Sequence, residues 1–303
     1  MLNYQSALKI GLEIKKGEMM TLTGQKPTMM NDHLTVPFGF FSPTKIQAIL
    51  IRLCRANPIF RAAVRTRLNY LVQKIRSGPI DYELYGWNFR FFPADNTGDR
   101  KALLTPNGFD RHECELIAEH LDPNGVFLDI GSNIGTYCFY VAAQRTDAKI
   151  IAFEPSPSVF AKLSFNLKTN NLCERISALN LALSNQTGEM TFNTAFESLV
   201  LGEPDTTVQT DTLLNIVIER RVSAISALKI DTEGAEAMIL QPFFESAPKT
   251  LWPKLVVIEH LFPEKWEWSC TDFLELNGYN PIWRGKMNTV YKLEHDKDGG
   301  EKS

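Results

Sequence analysis

The segment VFLDIGSNIGTY, residues 126–137, constrains the fold more than any other part of the sequence. The apolar run Val126–Ile130 is typical of a buried strand, and two glycines four positions apart, Gly131 and Gly135, then end it. A helical pattern begins at Tyr137. A buried strand that leads through a glycine turn into a helix is the first unit of a parallel α/β sheet, in which ligands bind at the carboxyl ends of the strands.

The chain after this unit continues to alternate between strands and helices. The patterns predict major strands at Lys149–Phe153, Ile176–Leu183, Ala227–Ile230 and Lys254–Ile258, a closing strand at Tyr291–Leu293, and short extra strands at Met190–Phe192 and Thr206–Val208. Helices are predicted at Glu113–Leu121, Ser158–Asn170, Gly234–Leu240 and Phe273–Asn277. This alternation predicts an α/β fold with a mainly parallel sheet and helices on both of its faces.

The first 80 residues differ in composition from the rest of the chain. Residues 1–32 are polar and rich in Met, without a clear period, and are predicted to be loosely ordered. From His33 to Ile80 there are eight Lys or Arg residues and no Asp or Glu, and helical patterns cover Ile46–Leu53 and Pro58–Ile75. The predicted organisation is a loosely ordered N-terminus over 1–32, a basic helical appendage over 33–80, a main domain over 81–294 and a disordered tail over 295–303.

The basic appendage has two interpretations. Residues 43–76 could form a basic amphipathic element that contacts a membrane surface or an anionic substrate carrier. Alternatively, the helices pack on the main domain and keep a solvated basic face. One helical stripe does not decide between the two.

The overall composition excludes several classes of protein. With 44% hydrophobic residues, 22% charged residues and a net charge of −3, the 303-residue chain is typical of a globular protein without a general attraction to nucleic acid. It has no apolar run of about 18 residues, so no membrane span is predicted. The first residues lack a signal-peptide core, and the five cysteines are scattered, so a cytoplasmic location with reduced thiols is expected.

Two classes of ligand compete for the glycine turn. A dinucleotide site requires G-x-G-x-x-G, in which the second glycine lets the pyrophosphate approach the backbone. In the register that begins at Gly131, Asn133 stands at the second glycine position and Thr136 at the third. A side chain at position 133 would crowd a pyrophosphate, so NAD is disfavoured.

S-adenosylmethionine makes different demands, because it carries an amino-acid end, a ribose and a positive sulfonium but no phosphate. Its carboxylate suits the N-terminus of the helix after the turn. Asp129, at the end of the first strand, can meet the amino group. Glu154, at the end of the second strand and 23 residues after Gly131, can accept hydrogen bonds from the ribose hydroxyls. Both acids favour a cationic ligand over a pyrophosphate.

Five segments in this order resemble the FkbM family of methyltransferases over roughly residues 107–293. They are VFLDIGSNIGTY, IIAFEPSPSVFAKLSFNLKTNNL, ALSNQTGEMTF, LKIDTEGAEAMIL and LVVIEH, and LKIDTEGAE at 228–236 is the most diagnostic. The resemblance implies a Rossmann-like class I methyltransferase fold with a seven-stranded sheet. It also implies S-adenosylmethionine as the methyl donor and a hydroxyl of a small molecule or carbohydrate as the acceptor. By position, the cofactor pocket would comprise Asp129, Gly131, Ser132, Asn133, Gly135, Glu154 and Asp231.

Three residues are candidates for the chemistry. Asp231 ends the fourth strand, Glu233 follows on the turn, and His260 ends the fifth strand. An alcohol is a poor nucleophile, so a base within hydrogen-bond reach would help, and His260 is matched to neutral pH. Asp231, Glu259 and His260 would also suit a divalent metal such as Mg²⁺, but strand-end carboxylates are common without one, so no metal is predicted.

Three alternatives remain. A nicotinamide-dependent sugar dehydrogenase of the short-chain type would need Tyr-x-x-x-Lys after the glycine loop, whereas the one match, Tyr70–Lys74, precedes it. A methyltransferase that acts on nucleic-acid bases would have an aromatic platform where this chain has DTEG, so no nucleic-acid partner is predicted. The third alternative is a non-catalytic protein that binds the cofactor or acts at a membrane surface.

Overall fold

A computed structural model of the chain describes residues 12–15, 18–21, 33–56, 62–95, 97–108, 110–192 and 206–294. Strands β1 (Leu12–Lys15) and β2 (Glu18–Thr21) pair antiparallel. Apart from these strands, the predicted loose N-terminus at 1–32 lies outside the described residues. The predicted tail at 295–303 and the start of the predicted helix at Pro58 also lie outside them.

The remaining elements follow in chain order. The strands are β3 (Ile80–Leu84), β4 (Trp87–Phe91), β5 (Val126–Ile130), β6 (Lys149–Phe153), β7 (Ile176–Leu179), β8 (Ala182–Leu183), β9 (Gly188–Phe192), β10 (Thr206–Asp211), β11 (Ala227–Ile230), β12 (Leu255–Glu259), β13 (Tyr279–Arg284) and β14 (Asn288–Leu293). The helices are α1 (Lys45–Ala56), α2 (Ala62–Ile75), α3 (Thr97–Leu104), α4 (Arg111–His120), α5 (Thr136–Gln144), α6 (Pro157–Thr169), α7 (Leu213–Glu219), α8 (Glu236–Ser246) and α9 (Cys270–Leu276). Short 3₁₀ turns lie at Pro106–Gly108, Lys249–Leu251 and Pro263–Lys265.

Seven strands form the central sheet, in the spatial order β13, β14, β12, β11, β5, β6 and β7. The five strands from β12 to β7 pair in parallel, whereas β14 is antiparallel to both β12 and β13. Only β14 is therefore reversed. The prediction of a seven-stranded, mainly parallel sheet is confirmed.

The sheet separates two apolar cores. On one face, α4, α5 and α6 pack over residues such as Phe127 and Ile150. On the other face, α7, α8 and α9 pack over residues such as Leu128 and Ile258. Neighbouring positions of a strand point to opposite faces, so strands that are buried on both sides are mostly apolar. This explains why β5 and β12 are apolar apart from Asp129 and Glu259, and the predicted placement of helices on both faces is confirmed.

The predicted third strand at Ile176–Leu183 was wrong in its extent. The structure divides it into β7, which joins the central sheet, and β8, which pairs with β10 in a separate three-stranded sheet of order β8, β10, β9. At the break, the Asn180 side-chain amide donates to the carbonyl oxygens of Glu154 and Pro155. The break therefore ties β7 to the carboxyl end of β6.

Strand β13 was not predicted, because Gly278-Tyr279 reads as a turn and the segment that follows lacks an apolar pattern. It is an edge strand whose positions after Tyr279 are mostly exposed, with Pro281 beside a register shift. Edge strands bury few side chains, so little hydrophobic signal marks them in a sequence.

The predicted helices near the N-terminus are present as α1 and α2. Ile51 and Val72 are fully buried and belong to the same core as Phe127 of β5. A hairpin of β3 and β4 follows, and the residues between the strands, Tyr85 and Gly86, both have positive φ, as a tight hairpin turn requires. The helix pair therefore rests on the main domain through one face.

Candidate functional site

A cavity opens at the carboxyl ends of β5, β6 and β11, where the sequence predicts the cofactor. Five predicted cofactor residues line it: Gly131, Ser132, Asn133, Glu154 and Asp231. Strands β5, β6 and β11 are neighbours in the sheet, so the residues that follow them meet at one edge. The predicted catalytic residue Glu233 lines the same cavity.

The glycine turn is built around its own hydrogen bonds. The N–H groups of Gly131 and Ser132 both donate to the carbonyl oxygen of Phe153, at 3.0 and 2.9 Å. The three N–H groups that follow also have protein acceptors: Glu154 Oε2 for residue 133, the Asn133 side chain for residue 134 and the Ser132 carbonyl for residue 135. A ligand in the cavity therefore meets a turn whose five amides are already paired.

The two glycines of the turn are needed for separate reasons. Gly131 has φ +74°, and a Cβ there would lie 1.9 Å from the carbonyl oxygen of Asp231. Gly135 has φ +94°, and a Cβ there would lie 2.7 Å from Leu163 Cδ1 on α6. Gly131 thus lets the turn approach the end of β11, and Gly135 lets α5 start close to α6.

Glu154 fixes the turn to the end of β6. Its side chain is 2% exposed, and its two oxygens accept from the N–H groups of Asn133 and Ser156, both at 2.9 Å. Each carboxylate oxygen has two lone pairs, so a ligand hydroxyl can still be accepted on the cavity side. The predicted role of Glu154 toward a ribose remains a prediction.

Asp129 lies deeper than the sequence suggested. It is fully buried and is not among the residues that line the cavity. Its Oδ2 accepts from the Cys138 thiol at 3.0 Å, and its Oδ1 lies 3.6 Å from Lys229 Nζ. A direct contact between Asp129 and a ligand therefore remains a prediction, and Lys229 is its charged neighbour in the structure.

Lys229 was missed by the sequence reasoning, although it is the one charged residue of the apolar strand β11. Its Nζ lies 3.6 Å from both Asp129 and Asp231 and donates to the carbonyl oxygen of Gly131 at 2.8 Å. Burial alone would lower the pKa of Lys229, but the two carboxylates outweigh it and raise that pKa above its ordinary value. A buried ammonium thus links β5, the glycine turn and β11. A lysine in a buried strand is the signal that would have found it, because such residues are buried only when paired.

Tyr137 and Asp110 also line the cavity and were not in the predicted site. The Tyr137 hydroxyl is buried without a hydrogen-bond partner among the described residues, and Lys229 Nζ lies 5.2 Å from its ring centre. Asp110 has φ +52°. Burial, and then the nearby Glu113, raise the pKa of Asp110 to about 6.

Three carboxylates meet where β11 and β12 end: Asp231, Glu233 and Glu259. One oxygen from each lies within 4.8 Å of the other two. Burial, and then the Asp231 carboxylate, raise the pKa of Glu259 to about 9. The sequence placed Glu259 only in the alternative with a metal and not among the catalytic residues.

His260 stands apart from this group. Within the described chain it lines neither the cofactor cavity nor the neighbouring cavity, and its Nδ1 lies 3.3 Å from Thr289 Oγ1. Burial, and then Arg284, lower the pKa of His260. Its catalytic role remains a prediction without a geometric contact to support it.

Glu236 shapes the turn between β11 and α8. Its Oε1 accepts from the Thr232 N–H and hydroxyl at 2.8 and 2.9 Å and from the Gly234 N–H at 3.3 Å. Its Oε2 accepts from Trp266 Nε1 at 2.9 Å. Glu236 is 1% exposed, so it holds the turn that carries Glu233 and does not reach a ligand.

A second, larger cavity of about 670 Å³ lies on the other side of this turn. Thr232 and Glu233 form the wall next to the cofactor cavity, while Asn185 and Gln241 offer amide groups and Lys265 an ammonium. Pockets for small molecules usually measure about 300–1,000 Å³. The second cavity therefore has room for a small molecule, whereas the cofactor cavity, at about 100 Å³, is smaller than this range.

The FkbM methyltransferase domain model matches residues 129–281, half of the chain. This range begins at Asp129 and contains the glycine turn, Glu154 and the LKIDTEGAE motif. The chain therefore belongs to the family of FkbM methyltransferase domains, and the predicted resemblance is confirmed.

Three curated relatives show how far the similarity extends. The methyltransferase sdnD of Sordaria araneosa is 38% identical over 25% of this chain and 29% of its own length. The 31-O-demethyl-FK506 methyltransferase FkbM of Streptomyces tacrolimicus is 25% identical over 51% and 70%. The hexuronic acid methyltransferase AglP of Haloferax volcanii is 28% identical over 42% and 53%. The chain thus matches less than a third of the length of sdnD and about half of AglP.

Solved structures with a similar arrangement include a putative caffeoyl-CoA O-methyltransferase from Staphylococcus aureus. It is 16% identical, with a TM-score of 0.40 over 60% of this chain and 84% of that chain. A precorrin-6y C5,15-methyltransferase from Geobacter metallireducens is 14% identical, with a TM-score of 0.38 over 61% and 89%. At these TM-scores the likenesses decide nothing about this chain.

Proposed function

We propose that the protein is an S-adenosylmethionine-dependent methyltransferase that modifies a hydroxyl group of a small molecule or carbohydrate. The observation that carries the proposal is the cavity at the ends of β5, β6 and β11. Its wall combines Glu154 and Asp231 with a glycine turn whose backbone N–H groups are already hydrogen-bonded within the protein. Membership of the FkbM family supports the same assignment.

The glycine turn fits S-adenosylmethionine better than a dinucleotide. A pyrophosphate is held by free N–H groups at a helix N-terminus, whereas the five amides from Gly131 to Gly135 already donate to protein acceptors. The ribose and the sulfonium of S-adenosylmethionine need no such donors, and its carboxylate would face the N-terminus of α5, which begins at Thr136. The ribose and the sulfonium need acceptors and negative charge, which Glu154 and Asp231 supply. The nicotinamide-dependent dehydrogenase alternative is therefore disfavoured.

When bound, the cofactor supplies a methyl carbon on a positively charged sulfur. The work of this chain is to hold that carbon in line with the acceptor oxygen and to exclude water. Glu154 would accept ribose hydroxyls, and the Asp231 carboxylate would supply negative charge for the sulfonium. The bond that forms joins the acceptor oxygen to the methyl carbon, and the carbon–sulfur bond breaks with its electron pair remaining on sulfur. The hydroxyl proton would be released to water, and the negative charge of Asp231 and Glu233, which follow β11, would favour its loss.

The second cavity is the proposed place for the acceptor. Its amide and carboxylate groups suit a molecule with several hydroxyls, because each hydroxyl both donates and accepts hydrogen bonds. The names of two relatives refer to 31-O-demethyl-FK506 and to hexuronic acid. The acceptor class proposed here, a hydroxylated small molecule or carbohydrate, is consistent with both.

A direct test uses S-adenosylmethionine with a labelled methyl group and a panel of neutral sugars, hexuronic acids and polyketide alcohols. We expect label transfer to at least one acceptor by the wild-type chain and at least a hundredfold slower transfer by Asp231→Asn. Cofactor binding without transfer to any acceptor would instead favour the non-catalytic alternative.

A second candidate role concerns the helix pair α1 and α2. Among the side chains that the structure describes there, six large apolar ones are exposed: Ile46, Ile49, Leu53, Tyr70, Leu71 and Ile75. The exposed basic residues Lys45, Arg52, Arg67 and Lys74 lie on the same helices. Apolar side chains beside lysine and arginine suit a surface of anionic lipid. Every helix in the described part of the chain is too short or too polar to cross a bilayer.

We therefore propose peripheral contact of residues 43–76 with anionic membranes. Flotation with vesicles that contain phosphatidylserine should recover the wild-type chain, and the double change Ile49→Ser and Leu53→Ser should reduce recovery several-fold. Leu276→Ser is the matched control, because Leu276 is 86% exposed on the distant helix α9. Equal recovery of both variants would contradict the proposal.

A further inference from the structure

The carboxylates of Asp231, Glu233 and Glu259 form a group with the dimensions of a metal site. Their ligand oxygens lie within 4.8 Å of one another. Oxygens bound to one cation at roughly 2.0–2.6 Å are separated by no more than about twice that distance. The pairing of β11 with β12 places Asp231 beside Glu259. Asp231 follows β11, Glu259 ends β12, and the two strands pair in register at Ile230 and Ile258.

In the described part of the chain, one oxygen of Glu259 lacks a hydrogen-bond donor, although the carboxyl group also contacts Asp231. The residue is 2% exposed, and its Oε2 has no hydrogen-bond donor among the described residues. A buried carboxylate oxygen without a donor is costly, and such atoms in folded proteins usually have a role. Because an oxygen of Glu259 reaches both Asp231 and Glu233, a cation placed between the three would satisfy it.

Local charge favours a cation at this point. Lys229 lies 3.6 Å from Asp231 but is shared with Asp129 at the same distance. Lys265 donates to the backbone carbonyl oxygen of Glu233, at 2.9 Å. Lys229 therefore divides its charge between two carboxylates, of which only Asp231 belongs to the group.

The position of the group gives it a function. Asp231 and Glu233 line the cofactor cavity, and Glu233 also lines the second cavity. A cation held here would lie on the wall between the donor and the acceptor. All three protein ligands are oxygen atoms, a set that suits Mg²⁺ or Mn²⁺.

We infer that Asp231, Glu233 and Glu259 bind a divalent cation that coordinates the hydroxyl group of the acceptor. Its place in the reaction rests on the proposed methyl transfer. The cation lowers the pKa of the coordinated hydroxyl as a Lewis acid. The hydroxyl proton is released to water, the oxygen forms its bond to the methyl carbon, and the electron pair of the broken carbon–sulfur bond stays on sulfur. The cation is unchanged, and Asp231 acts as a ligand.

The test measures binding and needs no substrate. The full chain is stripped with a chelator and titrated with Mn²⁺, and the free ion is followed by its electron paramagnetic resonance signal. We expect one site in the wild-type chain and at least tenfold weaker binding in Glu259→Gln and Glu233→Gln. Glu233 is exposed, so its variant keeps the test valid if the buried change at Glu259 impairs folding. Glu264→Gln removes an exposed carboxylate outside the group and should bind like the wild type.

The cation site would be refuted by a wild-type chain that binds no Mn²⁺, or by Glu233→Gln and Glu259→Gln variants that bind as Glu264→Gln does. A parallel titration with S-adenosylhomocysteine separates this inference from the proposed function. If S-adenosylhomocysteine binds and Mn²⁺ does not, only the cation site fails. If Mn²⁺ binds with the expected dependence on Glu259 and S-adenosylhomocysteine does not bind, only the proposed cofactor fails.

Discussion

Replacing Glu154 is the most informative single perturbation of the cofactor cavity. In the free protein its two oxygens accept the N–H groups of Asn133 and Ser156, each at 2.9 Å. In the proposed complex the same carboxylate also accepts the ribose hydroxyls. Glu154→Ala therefore removes ligand contacts and protein contacts together, so affinity and stability must both be measured.

The size of each effect follows from the number of hydrogen bonds. Hydrogen bonds to a charged group contribute about 1.5–3 kcal/mol each, but these oxygens are shared with backbone amides, so we expect a total loss of about 1–3 kcal/mol in binding. That corresponds to roughly 5- to 150-fold weaker binding. Two buried N–H groups without acceptors also destabilise the fold, by about 1–3 kcal/mol each. Glu154→Gln, which keeps one acceptor oxygen, should lie between wild type and Glu154→Ala in both measurements.

The assay is calorimetry with S-adenosylhomocysteine, combined with thermal unfolding of each variant. Ser156→Ala is the control, because the Ser156 hydroxyl accepts from the Val159 N–H at 3.4 Å and caps α6, while its backbone N–H to Glu154 is retained. Loss of this cap should reduce stability by about 1 kcal/mol with unchanged affinity. A folded Glu154→Ala variant with wild-type affinity would refute the placement of Glu154 beside the ligand.

Three further predictions test other parts of the site. Gly131→Ala should lower the free energy of unfolding by about 2–5 kcal/mol, because an alanine there is strained at positive φ and its Cβ meets the Asp231 carbonyl. Gly86→Ala is the control, since Gly86 also has a positive φ but has open space around it, and it should lower the free energy of unfolding less. Equal losses for the two variants in denaturant titrations would contradict the close approach of Gly131 to Asp231. Glu236→Gln places an amide N–H group opposite Trp266 Nε1 and should lower the free energy of unfolding by about 1–3 kcal/mol. Most of this loss should be recovered in the double variant with Trp266→Phe, which removes the opposing donor. If the effects of the two changes are strictly additive, the hydrogen bond between Glu236 and Trp266 is refuted. The pKa of folded Asp110, about 6, exceeds its unfolded value of 3.8, so the folded state holds this proton to higher pH. Asp110 should therefore contribute stability below about pH 4 that is lost by about pH 6, and Asp110→Asn should remove this contribution from the pH profile of thermal unfolding.

The sequence predicted the parts of the fold that have a strong hydrophobic period. Strands β5, β6 and β11 lie at the predicted positions because each is a short apolar run buried on both faces. The break between β7 and β8 was missed, because it depends on Asn180 reaching across to the end of β6. Such a contact joins elements that are distant along the chain and leaves no local pattern.

The same contrast, between local patterns and contacts that join distant parts of the chain, applies to the site. Gly131 and Glu154 could be predicted, because a turn after a strand and an acid at the end of the next strand are local signals. Lys229 is marked by its place in a buried strand, but its contacts could not be predicted, since they depend on Asp129 and Asp231 meeting across two strands. The place of Glu259 in the proposed cation site could not be predicted either, because it depends on the burial of an oxygen that has no hydrogen-bond donor among the described residues.

The most direct test of the central claim is calorimetric titration of the full chain with S-adenosylhomocysteine and, separately, with NAD. The paired amides from Gly131 to Gly135 and the acids of the cavity predict that one equivalent of S-adenosylhomocysteine binds with a micromolar or lower Kd and that NAD gives no measurable heat. Tight binding of NAD, together with no binding of S-adenosylhomocysteine, would contradict the account.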